Sequence, residues 1–117
     1  MSDSTAEIDF NKMDGLVPGI VQDARTGEVL MLGFLNQVSY AKTLETGFVT
    51  FWSRTRQKLW MKGETSGNRL RIVDVATDCD QDALLFRVEV EGDGLVCHEG
   101  TVSCFTRPLT AGAEVRS

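Results

Sequence analysis

The sequence predicts an α+β domain, mainly antiparallel β-sheet with one principal helix. Three observations predict it. Short runs rich in β-branched, aromatic and aliphatic residues recur from Leu16 to Gly92, separated by turn chemistry. Only the segment from Asn36 to Gly47 combines helical spacing with capping residues at both ends. The chain has 117 residues, 42% of them hydrophobic, which suits one compact core and leaves little room for a second.

The elements follow in order. Residues 1–14 are polar and are expected to be a mobile N-terminal segment. LVPGIVQD (16–23) and EVLMLGF (28–34) read as strands, joined by a turn at Thr26-Gly27. Asn36 is the expected N-cap, Val38, Ala41 and Leu44/Glu45 recur at helical spacing, and Gly47 is the C′ stop. Met31, Leu35 and Leu44 are expected in the core. FVTFWSR (48–54) reads as a strand that pairs with KLWMK (58–62), and GETSGN (63–68) as a loop. LRIVDVATD (70–78) and ALLFRVEVEG (83–92) are two longer strands, followed by a turn at Gly92-Asp93-Gly94. LVCHEGTVSCF (95–105) is either a short hairpin or a metal-organised loop bent at Gly100. A small, polar tail occupies 109–117, so the domain proper is 15–108.

The formal net charge is −5, which argues against general nucleic-acid binding through phosphate neutralisation. No apolar run approaches the ~18–20 residues of a membrane span. The opening MSDSTAEIDF lacks the basic and apolar regions of a secretory signal, so a cytoplasmic location is expected. The three cysteines, Cys79, Cys97 and Cys104, are an odd number and argue against a disulfide framework.

DCDQD (78–82) alternates carboxylates with a thiol. In an extended chain Asp78, Asp80 and Asp82 share one face and Cys79 takes the other. The carboxylates suit Mg²⁺ or a similar hard ion, and the thiol suits Zn²⁺ together with Cys97 and Cys104. A solvated acidic turn is the alternative reading for the aspartates, and buried or incidental thiols for the cysteines. Cys97-x6-Cys104 is not a zinc-finger spacing. Three thiolates leave one tetrahedral position. With His98 there the site is closed and structural; with water it is open and catalytic. Adjacent residues seldom reach one ion without strain, which favours a free His98 beside an open zinc, where its imidazole can exchange protons near neutral pH.

RTRQKLWMK (54–62) holds Arg54, Arg56, Lys58 and Lys62 and no acid, a local +4 that leaves −9 for the rest of the chain. If the stretch is extended, the four cations and Trp60 share a face. Arg and Lys grip phosphate, and the glycines and hydroxyls of GETSGN bring backbone N–H groups within reach of one. A solvated charged hairpin is the alternative, with Trp52 and Trp60 as packing residues.

FWSRTRQKLWMKGETSGN, DCDQDALLFRV and CHEG…SCF together resemble the phosphoribosyl-AMP cyclohydrolase family of histidine biosynthesis, as do VQDARTGEVLMLGFLN and TLETGFVTFWSR upstream. The resemblance spans residues 15–108. It implies hydrolytic opening of the N1–C6 bond of the adenine ring in 1-(5-phosphoribosyl)-AMP by zinc-activated water with magnesium assistance. It also implies an intertwined homodimer whose zinc site is shared, Cys79 from one subunit and Cys97 and Cys104 from the other, with Asp78, Asp80 and Asp82 holding Mg²⁺. On that footing His98 is the expected catalytic proton carrier. Arg54, Arg56, Lys58, Lys62 and Trp60 are expected on the substrate and its phosphates, and Glu64, Ser66 and Asn68 on the ribose or the developing charge. The chain departs from the family pattern at Asn68, often His, at Thr101/Val102, where a basic residue is common, and at Gly19 and Gly33, more often Ala. The chain is too short to carry the pyrophosphohydrolase domain fused to some relatives, so one reaction is expected.

Two rivals make different predictions. A zinc deaminase shares water attack on a ring carbon but requires H-x-E and P-C-x-x-C, which are absent. A non-enzymatic zinc module predicts His98 as fourth ligand and no turnover.

Overall fold

The computed structural model describes residues 7–110. Among them, six strands and one helix follow in the order β1 (Val17–Asp23), β2 (Val29–Leu35), α1 (Gln37–Thr46), β3 (Thr50–Ser53), β4 (Lys58–Met61), β5 (Leu70–Thr77) and β6 (Leu84–Val90). The larger sheet has the order β2-β1-β6-β5, and β3 and β4 form a hairpin of their own. The β1–β2, β3–β4 and β5–β6 pairs are antiparallel, as expected for neighbours joined by short turns. The central pair, β1 with β6, is parallel. Everything between them in sequence makes the crossover, which sequence-local reasoning does not register. The expected class, mostly sheet with one helix in one compact domain, holds with this one parallel pairing.

The core lies under the two central strands. Val17, Val21, Phe86 and Val88 are fully buried, joined by Leu30, Leu35, Val49, Phe51 and Leu70. Alternation along β1 and β6 puts every second side chain into it. Residues 7–14 include Phe10, which is buried in the same core and meets Tyr40 at a ring separation of 6.2 Å. Residues 1–6 of the expected N-terminal segment and 111–117 of the expected tail lie outside the described residues.

The helix occupies the expected span. Asn36 accepts from the Ser39 amide (2.8 Å) while the Ser39 hydroxyl accepts from the Asn36 amide (3.0 Å), a reciprocal cap. Gly47 takes φ 81° and donates to the Thr43 carbonyl, ending the helix. The buried face differs from the expected one. Ser39 and Thr43 are fully buried, whereas Val38 and Leu44 are 61% and 56% exposed. Leu44 is therefore not a core residue of the chain. The reason is polar docking: Thr43 Oγ1 accepts from the Thr50 amide (2.9 Å) and donates to the Ser39 carbonyl (2.8 Å), which ties α1 to β3. Met31 and Leu35 are buried as expected.

Candidate active site

The β5–β6 turn carries the aspartates. The chain does not stay extended there. Gln81 takes φ 65°, its amide donates to the Asp78 carbonyl (3.1 Å), and the Asp78 amide donates to the Ala83 carbonyl (3.2 Å). A turn, not strand alternation, gathers the three carboxylates, so that one oxygen of each lies within 4.8 Å of the others. An octahedral ion with bonds of about 2.1 Å needs ligand oxygens roughly 3–4 Å apart, so small side-chain movements suffice to fit a hard divalent cation. Desolvation opposes ionisation of Asp78, but the Asp82 amide, with the Asp80 side chain and the Ala83 amide, outweighs it and holds this carboxyl below its usual range. Asp82 moves the other way. Desolvation, then the hydrogen bonds of Asp80 and Asp78 and the charge of Asp80, push it up against the opposing pull of Lys12. Lys12 Nζ stands 3.5 Å from Asp82 Oδ2 and donates to the Asp80 carbonyl (2.9 Å). No local pattern announces this contact, because Lys12 lies some seventy residues upstream of the loop.

Cys97 and Cys104 sit on the C-terminal loop. The Cys97 amide donates to the Thr101 carbonyl (3.1 Å) and the Gly100 amide to the Cys97 carbonyl (2.9 Å), a hairpin-like bend without strands. The Cys104 amide donates to the Leu30 carbonyl (2.8 Å) and the Ser103 hydroxyl to the Val29 carbonyl (2.8 Å), which anchors the loop on β2. Both thiols thus belong to one short loop, seven residues apart in sequence. The Glu99 amide first, then the Thr101 hydroxyl and Cys104, hold Cys97 below the usual thiol range, while burial first and then Cys97 push Cys104 up. Cys79 is exposed and joins no group of three ligand side chains with them among the described residues.

The basic stretch is also less extended than expected. Residues 54–57 form the β3–β4 turn, with Gln57 at φ 54°, and only Lys58 and Trp60 keep strand alternation. Among the described residues, Arg54, Arg56, Lys58 and Lys62 have no carboxylate within 4.0 Å, whereas Lys12, Lys42, Arg69, Arg71, Arg87 and Arg107 do. Arg54 instead stacks on Phe34, 4.1 Å from its ring centre, and Lys62 lies over Trp60 at 5.3 Å. Unneutralised cations are thus concentrated on one hairpin.

Two cavities flank that hairpin. One, about 440 Å³, has Trp60–Ser66 and Asn68 on one wall and Leu95–His98 with Gly100 on the other. It brings Lys62, Glu64 and Ser66 opposite Cys97 and the exposed His98. The second, about 510 Å³, is lined by Ser53, Arg56, Lys58 and Leu59, and shares Trp60, Glu64 and Thr65 with the first. Thr65, a wall of both, passed unnoticed in the sequence, although it stands inside GETSGN. A larger cavity of about 880 Å³ between residues 23–28 and 89–94 holds none of the candidate side chains.

Asn68 is buried, and its amide is engaged. Nδ2 donates to Asp93 Oδ1 (2.7 Å) and the Leu95 carbonyl (2.8 Å), and Oδ1 accepts from the Asp93 amide (3.1 Å). It clasps the two walls of the smaller cavity together.

Comparison with known proteins bears on the family of the chain. The family model described as phosphoribosyl-AMP cyclohydrolase matches residues 31–106. A phosphoribosyl-AMP cyclohydrolase of Solibacter usitatus is 58% identical over 90% of this chain and 82% of its own. One of Desulfatibacillum aliphaticivorans is 57% identical over 85% of this chain and 78% of its own. The histidine biosynthesis bifunctional protein HisIE of Escherichia coli is 59% identical over 85% of this chain, which spans 48% of that protein.

Proposed function

The chain belongs to the phosphoribosyl-AMP cyclohydrolase family, and we propose that it hydrolyses the N1–C6 bond of the adenine ring of 1-(5-phosphoribosyl)-AMP in histidine biosynthesis. The observation that carries the reading is the smaller cavity, where the cationic hairpin and the GETSGN loop face Cys97 and His98.

Cys97 and Cys104 would hold zinc with Cys79 of a second copy, and Asp78, Asp80 and Asp82 would hold magnesium. Zinc so held would supply an acidified water, and magnesium would offset phosphate charge. The residues of the chain do the rest. His98 accepts a proton from the attacking water at an imidazole nitrogen and delivers it toward N1 as the N1–C6 bond breaks, while the water's second proton passes to the exocyclic nitrogen of the neutral substrate, leaving the oxygen on C6 as the carbonyl of a carboxamide. Lys62 lies on the same wall to meet anionic substrate oxygens, and Arg56 and Lys58 face the adjoining cavity. Trp60 separates the two as an apolar wall. Glu64 and Ser66 line the same cavity and would meet the ribose, while the role of Asn68 runs through the clasp it makes.

The homodimer is part of the proposal. One chain brings together two thiols, not three, and it exposes Val38, Ala41 and Leu59 beside one another around a shallow hollow. A second copy accounts for both. No helix among the described residues is long and apolar enough to cross a membrane, and free thiols agree with a reducing cytoplasm.

The test follows the ultraviolet change as the purine ring of 1-(5-phosphoribosyl)-AMP opens, before and after zinc chelation. Zinc-dependent opening without ammonia is expected. Ammonia release would point to a deaminase, and no opening by metal-replete protein would leave a zinc-bearing binding module.

A further inference from the structure

We propose that Lys12 is a built-in counter-ion of the Asp78/Asp80/Asp82 turn, which a divalent cation must displace, so that this lysine sets the metal affinity of the site. The inference rests on the magnesium reading of that turn.

Three carboxylates within 4.8 Å of one another repel, and a cation among them relieves the repulsion. The fold supplies one from a distant segment. Lys12 Nζ lies 3.5 Å from Asp82 Oδ2 and donates to the Asp80 carbonyl at 2.9 Å. The segment is held in place by its backbone: the Asp9 amide donates to the Gln81 carbonyl (2.7 Å), and Gln81 Nε2 donates to the Glu7 carbonyl (2.7 Å). Phe10, buried between these contacts, fixes the segment to the core. Both contacts of Lys12 are made by the tip of a flexible stem, so the ammonium can withdraw while Phe10 stays seated. A dication at the aspartates and an ammonium a few ångströms away repel each other, so binding of one opposes binding of the other. The lysine therefore keeps the empty turn together at some cost to metal affinity.

Calorimetric titration of the full chain with magnesium chloride at low ionic strength tests this, because the exposed pair is screened by salt. Lys12→Met should bind magnesium roughly two- to fivefold more tightly, the range expected for loss of an exposed ion pair, and Lys12→Arg should resemble the parent. Without metal Lys12→Met should melt at a lower temperature than the parent, and saturating magnesium should close the gap. Equal or weaker binding by Lys12→Met in a protein that does bind magnesium would overturn the inference and leave the carboxylate site standing. No magnesium binding by parent or variants would overturn the site reading and the inference with it.

Discussion

At the scale of the residue, the candidate side chains were legible because they cluster in short motifs. CHEG, DCDQD and GETSGN each place several candidate side chains on one loop, and the structure sets CHEG and GETSGN on opposite walls of one cavity. What could not be read were partners far apart in sequence, such as Lys12 with Asp82 and Asn68 with Asp93. Two predictions belong here. His98→Ala should retain zinc by metal analysis while turnover falls by about 10²–10⁴-fold, the usual weight of a general acid–base group. Loss of zinc together with turnover would make His98 a ligand instead. Asn68→Ala removes two donors and an acceptor from a buried clasp and strands the Leu95 carbonyl and the Asp93 amide. A loss of about 1–3 kcal/mol is expected, read as a lower urea midpoint at unchanged slope.

At the scale of the element, strand positions were legible to within a residue or two, because β-branched and aromatic runs end at turn residues. The helix bounds were legible for the same kind of reason, since Asn36 and Gly47 act locally. Its buried face was not. Hydrophobic spacing pointed to Val38, Ala41 and Leu44, but hydroxyls took the inner side by bonding the β3 backbone. The glycines of the central strands show a related limit. At Gly33 the structure leaves no room for a side chain: a Cβ there would lie 2.5 Å from Phe51 Cδ1, on a ring that is 1% exposed. Gly33→Ala should lower the melting temperature through about 1–3 kcal/mol of overpacking, and a smaller side chain at position 51 should restore part of it. A neutral Gly33→Ala would mean that the β2–β3 contact yields easily.

At the scale of the whole molecule, the proposed active site exceeds one chain. Cys97 and Cys104 share the C-terminal loop, Cys79 stands exposed on the β5–β6 turn, and α1 exposes Val38, Ala41 and Leu44 among Gln37, Lys42 and Glu45. The proposed two-fold dimer would reconcile these facts, since an isologous interface meets the same unmet needs twice. Subunit mixing decides whether zinc is shared. Cys79→Ser and Cys97→Ser should each be inactive alone, because each spoils both sites of its homodimer. Unfolded together and refolded, half the dimers should be mixed. Each mixed dimer pairs the intact Cys79 of one subunit with the intact Cys97 and Cys104 of the other. One of its two sites is then whole, so on the order of a quarter of the parental activity and zinc should return. A site contained within one chain allows no such rescue, because every chain in the mixture still lacks a ligand.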